Sequence, residues 1–162
     1  CPQCAARYRI DPSKSSKRVA RVKCPKCTTL FDVELPLPGD SPRILVVDDS
    51  SFFRELILDV LRPLYREILT AGDGNEALRA IRERLPALVI LDLNLPGMSG
   101  YDLIRTVRSD ADLERIRLLA MSGVFRKESE VLDVKQAGAD DFISKSFKPE
   151  QLLERVNRLL EW

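Results

Sequence analysis

Three short apolar runs follow residue 42 and predict strands that are buried on both faces. The runs are ILVV at Ile44–Val47, LVIL at residues 88–91 and LLAM at residues 118–121. Two weaker candidates lie at residues 67–70 and 141–143. Continuous apolar runs, without the polar alternation of a half-exposed strand, are typical of a parallel sheet that is covered by helices on both sides.

Helical periodicity occupies the intervals between these runs. Apolar positions spaced three and four apart predict a helix at residues 51–61, with Phe52, Leu56 and Val60 on one face. Further helices are predicted at residues 75–84, 101–108, 128–136 and 150–160. Gly138 would cap the end of the helix at residues 128–136, and Pro149 would open the helix at residues 150–160. Five strand–helix alternations predict an α/β doubly wound fold with a five-stranded parallel sheet.

The first 42 residues have a different organisation. Two similar segments, CPQCAARY at residues 1–8 and CPKCTTLF at residues 24–31, each carry a cysteine pair and an aromatic residue. Residues 19–23 and 31–35 alternate as short strands do. The stretch LPLPGDSP at residues 35–42 is rich in proline and resists regular structure. We therefore predict a small module at residues 1–35, a linker at residues 36–42 and a larger domain at residues 43–162.

Polar side chains follow the predicted strands of the larger domain. Asp48 and Asp49 follow the first strand, Asp92 the third, Ser122 the fourth and Lys145 the fifth. In a sheet of order 2-1-3-4-5 these strand ends are neighbours, and ligands bind at that edge. Three carboxylates so close together would repel one another, which Mg²⁺ would relieve. The metal, Lys145 and Ser122 could together hold a phosphoryl group on Asp92.

Each of these residues also has a simpler interpretation when taken alone. Any one of the aspartates could cap the following helix, Ser122 could be a turn residue, and Lys145 could be a solvated charge. Their joint placement at four strand ends is difficult to obtain by chance, and it favours a site.

The larger domain resembles the receiver domain of two-component response regulators over residues 43–162. The stretches that carry the resemblance are RILVVDDS, VILDLNLPGMSG, LLAMSG and AGADDFISKSFKP. The resemblance implies the flavodoxin-like sheet and phosphorylation of Asp92 by a phospho-histidine on a sensor histidine kinase. It also implies a Mg²⁺ site formed by Asp48, Asp49, Asp92 and the backbone carbonyl of Asn94.

The same resemblance assigns the switch residues. It makes Ser122 the switch hydroxyl, Phe142 the switch aromatic residue and Lys145 the phosphate-facing lysine. One departure from the family is Ser146, which stands where a proline with a cis peptide bond is usual. A cis bond before a residue other than proline costs about 2.5–4 kcal/mol, so we expect a trans bond here. Asn94 and Val124 occupy the positions that tune hydrolysis of the phosphoryl group in this family.

The cysteine module has the spacing of a four-thiolate zinc site. About 35 residues bury too little surface to fold unaided, whereas structural zinc supplies about 10–16 kcal/mol. Tyr8 and Phe31 would pack beneath the metal, and the segment resembles the short zinc-ribbon finger of some bacterial proteins. A disulfide pair or a redox CxxC motif is the alternative, although nothing in the sequence suggests export. The predicted Zn²⁺ ligands are Cys1, Cys4, Cys24 and Cys27.

Composition narrows the function further. The chain contains no histidine, which excludes histidine-dependent catalysis and histidine metal ligands. No apolar run approaches the roughly 18 residues of a membrane span, and we expect a cytoplasmic protein. The predicted function is a signalling switch that contacts an unknown downstream protein and that catalyses only its own phosphorylation and dephosphorylation. A degenerate receiver is disfavoured because every acidic, hydroxyl and lysine position is filled.

A nucleic-acid-binding regulator is the alternative function. Residues 1–40 carry eight basic and four acidic residues, so the ribbon could contact an anionic partner. Six of these basic residues form a cluster that supports this alternative, namely Lys14, Lys17, Arg18, Arg21, Lys23 and Lys26.

Overall fold

The computed structural model describes residues 1–6, 19–34, 43–64, 67–123 and 128–160, without the side chains of residues 34 and 128–131. The chain divides into two compact units, Cys1–Ser41 and Pro42–Trp162. The predicted linker and Tyr8 lie outside the described residues. Within the described part, none of the helices combines the length and the apolar character that a bilayer crossing requires.

The N-terminal unit contains an antiparallel hairpin. Strands β1 (Val19–Lys23) and β2 (Leu30–Glu34) pair along their whole length, and the second CPxC turn lies between them. Arg21 and Asp32 are cross-strand partners and form an exposed two-bond salt bridge at 2.9 and 3.2 Å. Both predicted strands are therefore present, the second beginning one residue earlier than expected.

The second unit is a five-stranded parallel sheet with helices on both faces. The strand order is β4-β3-β5-β6-β7, which is the predicted order 2-1-3-4-5. Its second strand is one residue later than predicted, because Ile68 is the residue that pairs with Ile44. The elements are β3 (Ile44–Val47), α1 (Ser51–Leu61), β4 (Ile68–Ala71), α2 (Gly74–Arg84), β5 (Leu88–Asp92), α3 (Gly100–Ser109), β6 (Arg117–Ser122), α4 (Glu128–Ala137), β7 (Asp141–Ser144) and α5 (Pro149–Leu160).

Alternate strand residues supply two apolar layers, one on each face of the sheet. In β3, Ile44 and Val46 pack toward α1 and α5, whereas Leu45 and Val47 pack toward α2, α3 and α4. All four are completely buried. This arrangement explains the unbroken apolar runs, since neither face of a central strand meets water.

Of the three residues predicted to share an apolar face of the first helix, only Val60 packs against the core. Phe52 is 75% exposed and Leu56 is 41% exposed, whereas Ile57 and Leu61 are completely buried and Phe53 packs against the same cluster. The helix contains two pairs of neighbouring apolar residues, Phe52–Phe53 and Leu56–Ile57. The first members of the pairs define one helix face, and the second members define another face that is rotated by about 100°. Periodicity alone could not choose between those faces.

The backbone is tight around the end of β5. A Cβ atom at Gly100, the first residue of α3, would lie 2.3 Å from the Asp92 carbonyl oxygen and 2.6 Å from Leu93 Cα. Only glycine permits this close approach of helix and strand. At the end of α4, Gly138 has a φ of 112°, which supports its predicted role as a cap.

Candidate functional site

An acidic cluster lies at the carboxyl ends of two neighbouring strands. Strands β3 and β5 pair in parallel, so the residues that follow them share one edge of the sheet. Asp48, Asp49 and Asp92 each place a carboxylate oxygen within 4.8 Å of the others. Asp48 and Asp92 are buried, while Asp49 is exposed. The three carboxylates therefore converge, as the strand-end pattern predicts.

The backbone of the two loops orients the buried carboxylates. Asp48 Oδ1 accepts a hydrogen bond from the Ser50 amide at 2.9 Å, and Asp92 Oδ1 accepts one from the Asn94 amide at 3.1 Å. Ser50, rather than an aspartate, caps α1. Similarly, Ser99 caps α3. These aspartates are not N-caps of the helices that follow them, so the simpler interpretation from the sequence does not account for them.

Lys145 bridges the two buried carboxylates. Its Nζ lies 2.6 Å from Asp48 Oδ2 and 2.7 Å from Asp92 Oδ2. Its backbone amide donates to the Ser122 carbonyl at 2.9 Å, which fixes the turn at the end of β7. Burial lowers the pKa of Lys145, but the two carboxylates outweigh it and raise the pKa above the usual value. The ammonium group therefore remains charged at neutral pH.

The site suits a hard divalent cation. The ammonium group of Lys145 balances the charge of one of the three carboxylates, so the site keeps a net negative charge. Asp48 Oδ2 is buried and has no hydrogen bond of good geometry within the described part of the chain, despite the nearby Lys145 Nζ. Carboxylate oxygens are ligands that Mg²⁺ prefers. Asp48, Asp49 and Asp92 thus fit the predicted metal, and ligation by the Asn94 carbonyl stays a prediction.

The structure describes three of the four remaining residues predicted for the receiver site. Ser122 ends β6 and is 4% exposed, and Phe142 in β7 is half-buried against the core on the α2–α4 side of the sheet. Asn94 is exposed, while Val124 lies outside the described residues. The Lys145–Ser146 peptide is trans, as the missing proline leads one to expect.

The four cysteine sulfurs form a second cluster. All four lie within 4.8 Å of one another. The Sγ–Sγ distances are 3.6 Å between Cys1 and Cys27 and 3.7 Å between Cys4 and Cys24. A disulfide would require about 2.05 Å. Four sulfurs about 2.3 Å from one tetrahedral zinc ion would instead lie about 3.8 Å apart. The geometry therefore fits zinc rather than the disulfide alternative.

The two cysteine turns are copies of one another. The amide of Ala5 donates to the Cys1 carbonyl at 3.0 Å, and the amide of Thr28 donates to the Cys24 carbonyl at 2.9 Å. Ala5 and Thr28 have left-handed φ angles of 54° and 60°. This conformation is costly for a β-branched threonine. The repeat seen in the sequence is therefore also a repeat of backbone conformation.

One cysteine is already favoured as a thiolate. The hydroxyl of Thr29 lies 3.3 Å from Cys27 Sγ. Hydrogen bonding from the Thr29 side chain and backbone lowers the pKa of Cys27 to about 7. A thiolate is the form that binds zinc.

Sequence reasoning missed three residues that contact these sites. Arg54 donates a hydrogen bond to the Asp48 backbone carbonyl, Phe53 lies against Lys145, and Thr29 contacts Cys27. Phe53 and Arg54 lie in the first turn of α1, shortly after Asp48 and Asp49. Their place in the sequence therefore indicated that they lie near the acidic cluster. The sequence contains no comparable signal for the direction of their side chains.

The fold and the site together define a receiver domain. A five-stranded parallel sheet carries an acidic cluster and a lysine at its carboxyl edge, and the response regulator receiver domain family matches residues 44–157. The chain belongs to that family. Residues 1–32 match the family described as a zinc-ribbon domain.

Known relatives agree with this assignment. The DNA-binding response regulator MtrA of Mycobacterium tuberculosis H37Rv is 42% identical over 121 residues, which are 73% of this chain and 50% of MtrA. The chain spans about half the length of the curated relatives it matches. The chemotaxis response regulator CheY4 of Vibrio cholerae is 29% identical with a TM-score of 0.69, over 74% of this chain and 99% of CheY4.

A third relative comes from a sensor kinase. The receiver domain of the sensor histidine kinase PA1611 of Pseudomonas aeruginosa PAO1 is 25% identical with a TM-score of 0.67. The match covers 74% of this chain and 97% of that one, whose crystal structure has a magnesium ion coordinated in the active site cleft.

Proposed function

We propose that this chain is a phosphorylation-dependent signalling switch, in which Asp92 accepts a phosphoryl group from a phospho-histidine on a sensor histidine kinase. The observation that carries the proposal is the convergence of Asp48, Asp49 and Asp92, with Lys145 Nζ 2.7 Å from the acceptor carboxylate. Membership of the receiver family supports the same function.

The residues divide the chemistry between them. An oxygen of Asp92 forms the bond to phosphorus while the bond from phosphorus to the histidine nitrogen breaks. Lys145 offers its positive charge to the phosphoryl oxygens, and the Ser122 hydroxyl is the group that would move toward them. Magnesium held by Asp48, Asp49, Asp92 and the Asn94 carbonyl would supply further positive charge, consistent with the ion in the P. aeruginosa relative.

The output surface would lie at β7 and α5. Phe142 in β7 adjoins a cavity of about 430 Å³ that extends toward α5. Arg155 and Arg158, which line this cavity, form ion pairs with Asp141 at 2.7 and 2.5 Å. A change in Phe142 would alter this surface, which would signal to a separate downstream protein. We propose that the zinc ribbon acts as an independent docking module.

The phosphorylation test uses a small acyl phosphate donor with Mg²⁺ and intact-mass spectrometry. We expect one phosphoryl adduct on the wild type, none on Asp92→Asn, and a strongly reduced rate for Asp49→Asn. Asp59→Asn is the matched control, since this exposed residue of α1 undergoes the same substitution. A full adduct on Asp92→Asn would contradict the assignment.

Zinc binding is tested separately. We expect one equivalent of zinc by elemental analysis of protein purified without chelator, and we expect chelation to unfold residues 1–35 while the receiver remains folded. The sulfur geometry at Cys1, Cys4, Cys24 and Cys27 supports this expectation. Protein that contains no zinc, with all four thiols intact, would contradict it.

Nucleic-acid binding by the ribbon is the second candidate function. Lys23 and Lys26 are exposed, although Arg21 is already paired with Asp32. The relative MtrA is a DNA-binding response regulator, which supports a test of DNA binding by this chain. Fluorescence anisotropy with duplex DNA at several salt concentrations would test it, because phosphate contacts produce a steep salt dependence. Binding that Lys23→Gln and Lys26→Gln leave unchanged would contradict a role for the ribbon.

A further inference from the structure

We propose that Phe53 is a positioning residue for Lys145, and this inference rests on the proposed function of the receiver site. The centroid of the Phe53 ring lies 4.7 Å from Lys145 Nζ. At this distance the face of an aromatic ring attracts an ammonium group through a cation–π interaction. Phe53 thus contacts the same nitrogen that bridges Asp48 and Asp92.

The ring is held in place from two directions. The Phe53 amide donates to the Ser50 hydroxyl at 3.3 Å, which ties its backbone to the loop that carries Asp48 and Asp49. On the other side, Phe147 meets it edge to face, with centroids 5.9 Å apart and an interplanar angle of 69°. This is a favourable arrangement for two aromatic rings. Phe53 therefore presents a rigid surface.

The turn that carries Lys145 constrains only its backbone, so its side chain is positioned by the two carboxylates and by the Phe53 ring. The Lys145 amide donates to Ser122, and Ser146 contacts the Ser144 hydroxyl through its own hydroxyl at 2.8 Å and its amide at 3.3 Å. These bonds fix the main chain where the family has proline. The flexible four-carbon side chain is not fixed by them. Gly123 beside it leaves space, since a Cβ there would be 3.9 Å from Lys145 Cδ.

Phosphorylation kinetics test the proposal. With a small acyl phosphate and saturating Mg²⁺, we expect Phe53→Leu to reduce the rate about three- to tenfold, the range that loss of a partly buried cation–π contact implies. Phe53→Tyr keeps a ring and should restore most of the rate. Phe52→Leu is the matched control, because Phe52 precedes it on the same helix and is 75% exposed. We expect that control to behave as the wild type does.

A double-mutant cycle separates positioning from a structural effect. In the Lys145→Met background, Phe53→Leu should change the rate less than twofold, since no ammonium remains to be positioned. An equal loss in both backgrounds, or a Phe53→Tyr rate as low as that of Phe53→Leu, would overturn the proposal.

NMR provides a readout that does not depend on phosphorylation. The Lys145 Hε resonances should be shifted upfield by the Phe53 ring in the wild type and in Phe53→Tyr, and should move toward the random-coil position in Phe53→Leu. Unchanged Hε shifts in a folded Phe53→Leu protein would refute the contact. Failure of the wild type to take up phosphate would instead contradict the proposed function of the site, and the Hε shifts would still decide the role of Phe53.

Discussion

Replacing Lys145 with methionine should make the receiver site bind Mg²⁺ more tightly. In the metal-free protein the ammonium group contacts Asp48 Oδ2 at 2.6 Å and Asp92 Oδ2 at 2.7 Å. Both oxygens belong to the carboxylates that would bind the metal. Lys145 and a bound metal would therefore compete for these carboxylates, and methionine removes the competitor while keeping a similar apolar stem.

The size of the effect follows from these contacts. At 2.6 Å and an effective dielectric constant of about 20, the Coulomb attraction of one pair is about 6 kcal/mol before desolvation is subtracted. After desolvation we take the net gain from this ion pair as about 1.5–3 kcal/mol, the range found for an interaction with a charged group. A metal that displaced Lys145 from Asp48 would have to overcome this contact, so the loss of the ammonium group should increase Mg²⁺ affinity about ten- to a hundredfold. The metal-free variant should be less stable, because two buried carboxylates lose their partner.

Isothermal titration calorimetry with MgCl₂ at constant ionic strength measures this difference. Lys148→Met is the matched control, because it makes the same change in net charge at an exposed position. The reasoning is refuted if Lys145→Met binds Mg²⁺ no more tightly than the wild type, or if Lys148→Met gains as much affinity.

The pH dependence of this contact has a definite sign. The pKa of Lys145 in the folded protein is raised above its unfolded value of about 10.5. A raised lysine pKa contributes stability that is complete below the unfolded pKa and is lost as the pH rises through the folded one. The difference in Mg²⁺ affinity between Lys145→Met and the wild type should therefore stay constant between about pH 6 and 9. A difference that disappears within this range would contradict the charge assignment.

Three further predictions concern the backbone and the phosphoryl lifetime. Gly100→Ala should lower the free energy of unfolding by about 1–3 kcal/mol in urea titrations, because its Cβ would meet the Asp92 carbonyl at 2.3 Å. Gly123→Ala, with an ordinary 3.9 Å contact, should change it by less than about 0.5 kcal/mol. Thr28→Gly should strengthen zinc retention in a chelator competition by up to about 1 kcal/mol, because glycine adopts the φ of 60° without strain. The greater entropy of glycine in the unfolded chain offsets part of this gain. Val124→Glu should accelerate dephosphorylation, because valine offers no hydrogen bond to an attacking water; an unchanged or slower rate would refute this.

The sequence predicts the sheet and its acidic edge well because both depend on order along the chain. Buried parallel strands need unbroken apolar runs, and the strand order brings the residue after β3 next to the end of β5. Asp48, Asp49, Asp92 and Lys145 could thus be placed together without knowledge of any side-chain direction. The cysteine cluster was predictable from the sequence because two CxxC pairs at this spacing match a four-thiolate zinc site.

Features that depend on side-chain direction were beyond the sequence. Either residue of the pair Phe52–Phe53 at the start of α1 could have faced the core. Phe52 fitted the predicted apolar stripe, but it is the exposed one. The register of the β1–β2 hairpin decides that Arg21 meets Asp32, which weakens the basic surface inferred from charge counts alone. Such pairings arise from tertiary geometry, and periodicity contains no information about them.

The error over Phe52 and Phe53 bears directly on how the site would work. With Phe53 turned inward, its ring lies beside the Lys145 ammonium group, while Asp49 is exposed to solvent. If a metal bound Asp48 Oδ2, Lys145 would lose one of its two carboxylate contacts, while the Phe53 ring would still lie beside its ammonium group. An ammonium group held in this way would stay next to Asp92, the proposed acceptor, where the incoming phosphoryl charge would be greatest. Ser146 follows Lys145 where proline is usual in the family. The contact with the Phe53 ring thus explains how Lys145 could stay at the site when a metal binds Asp48.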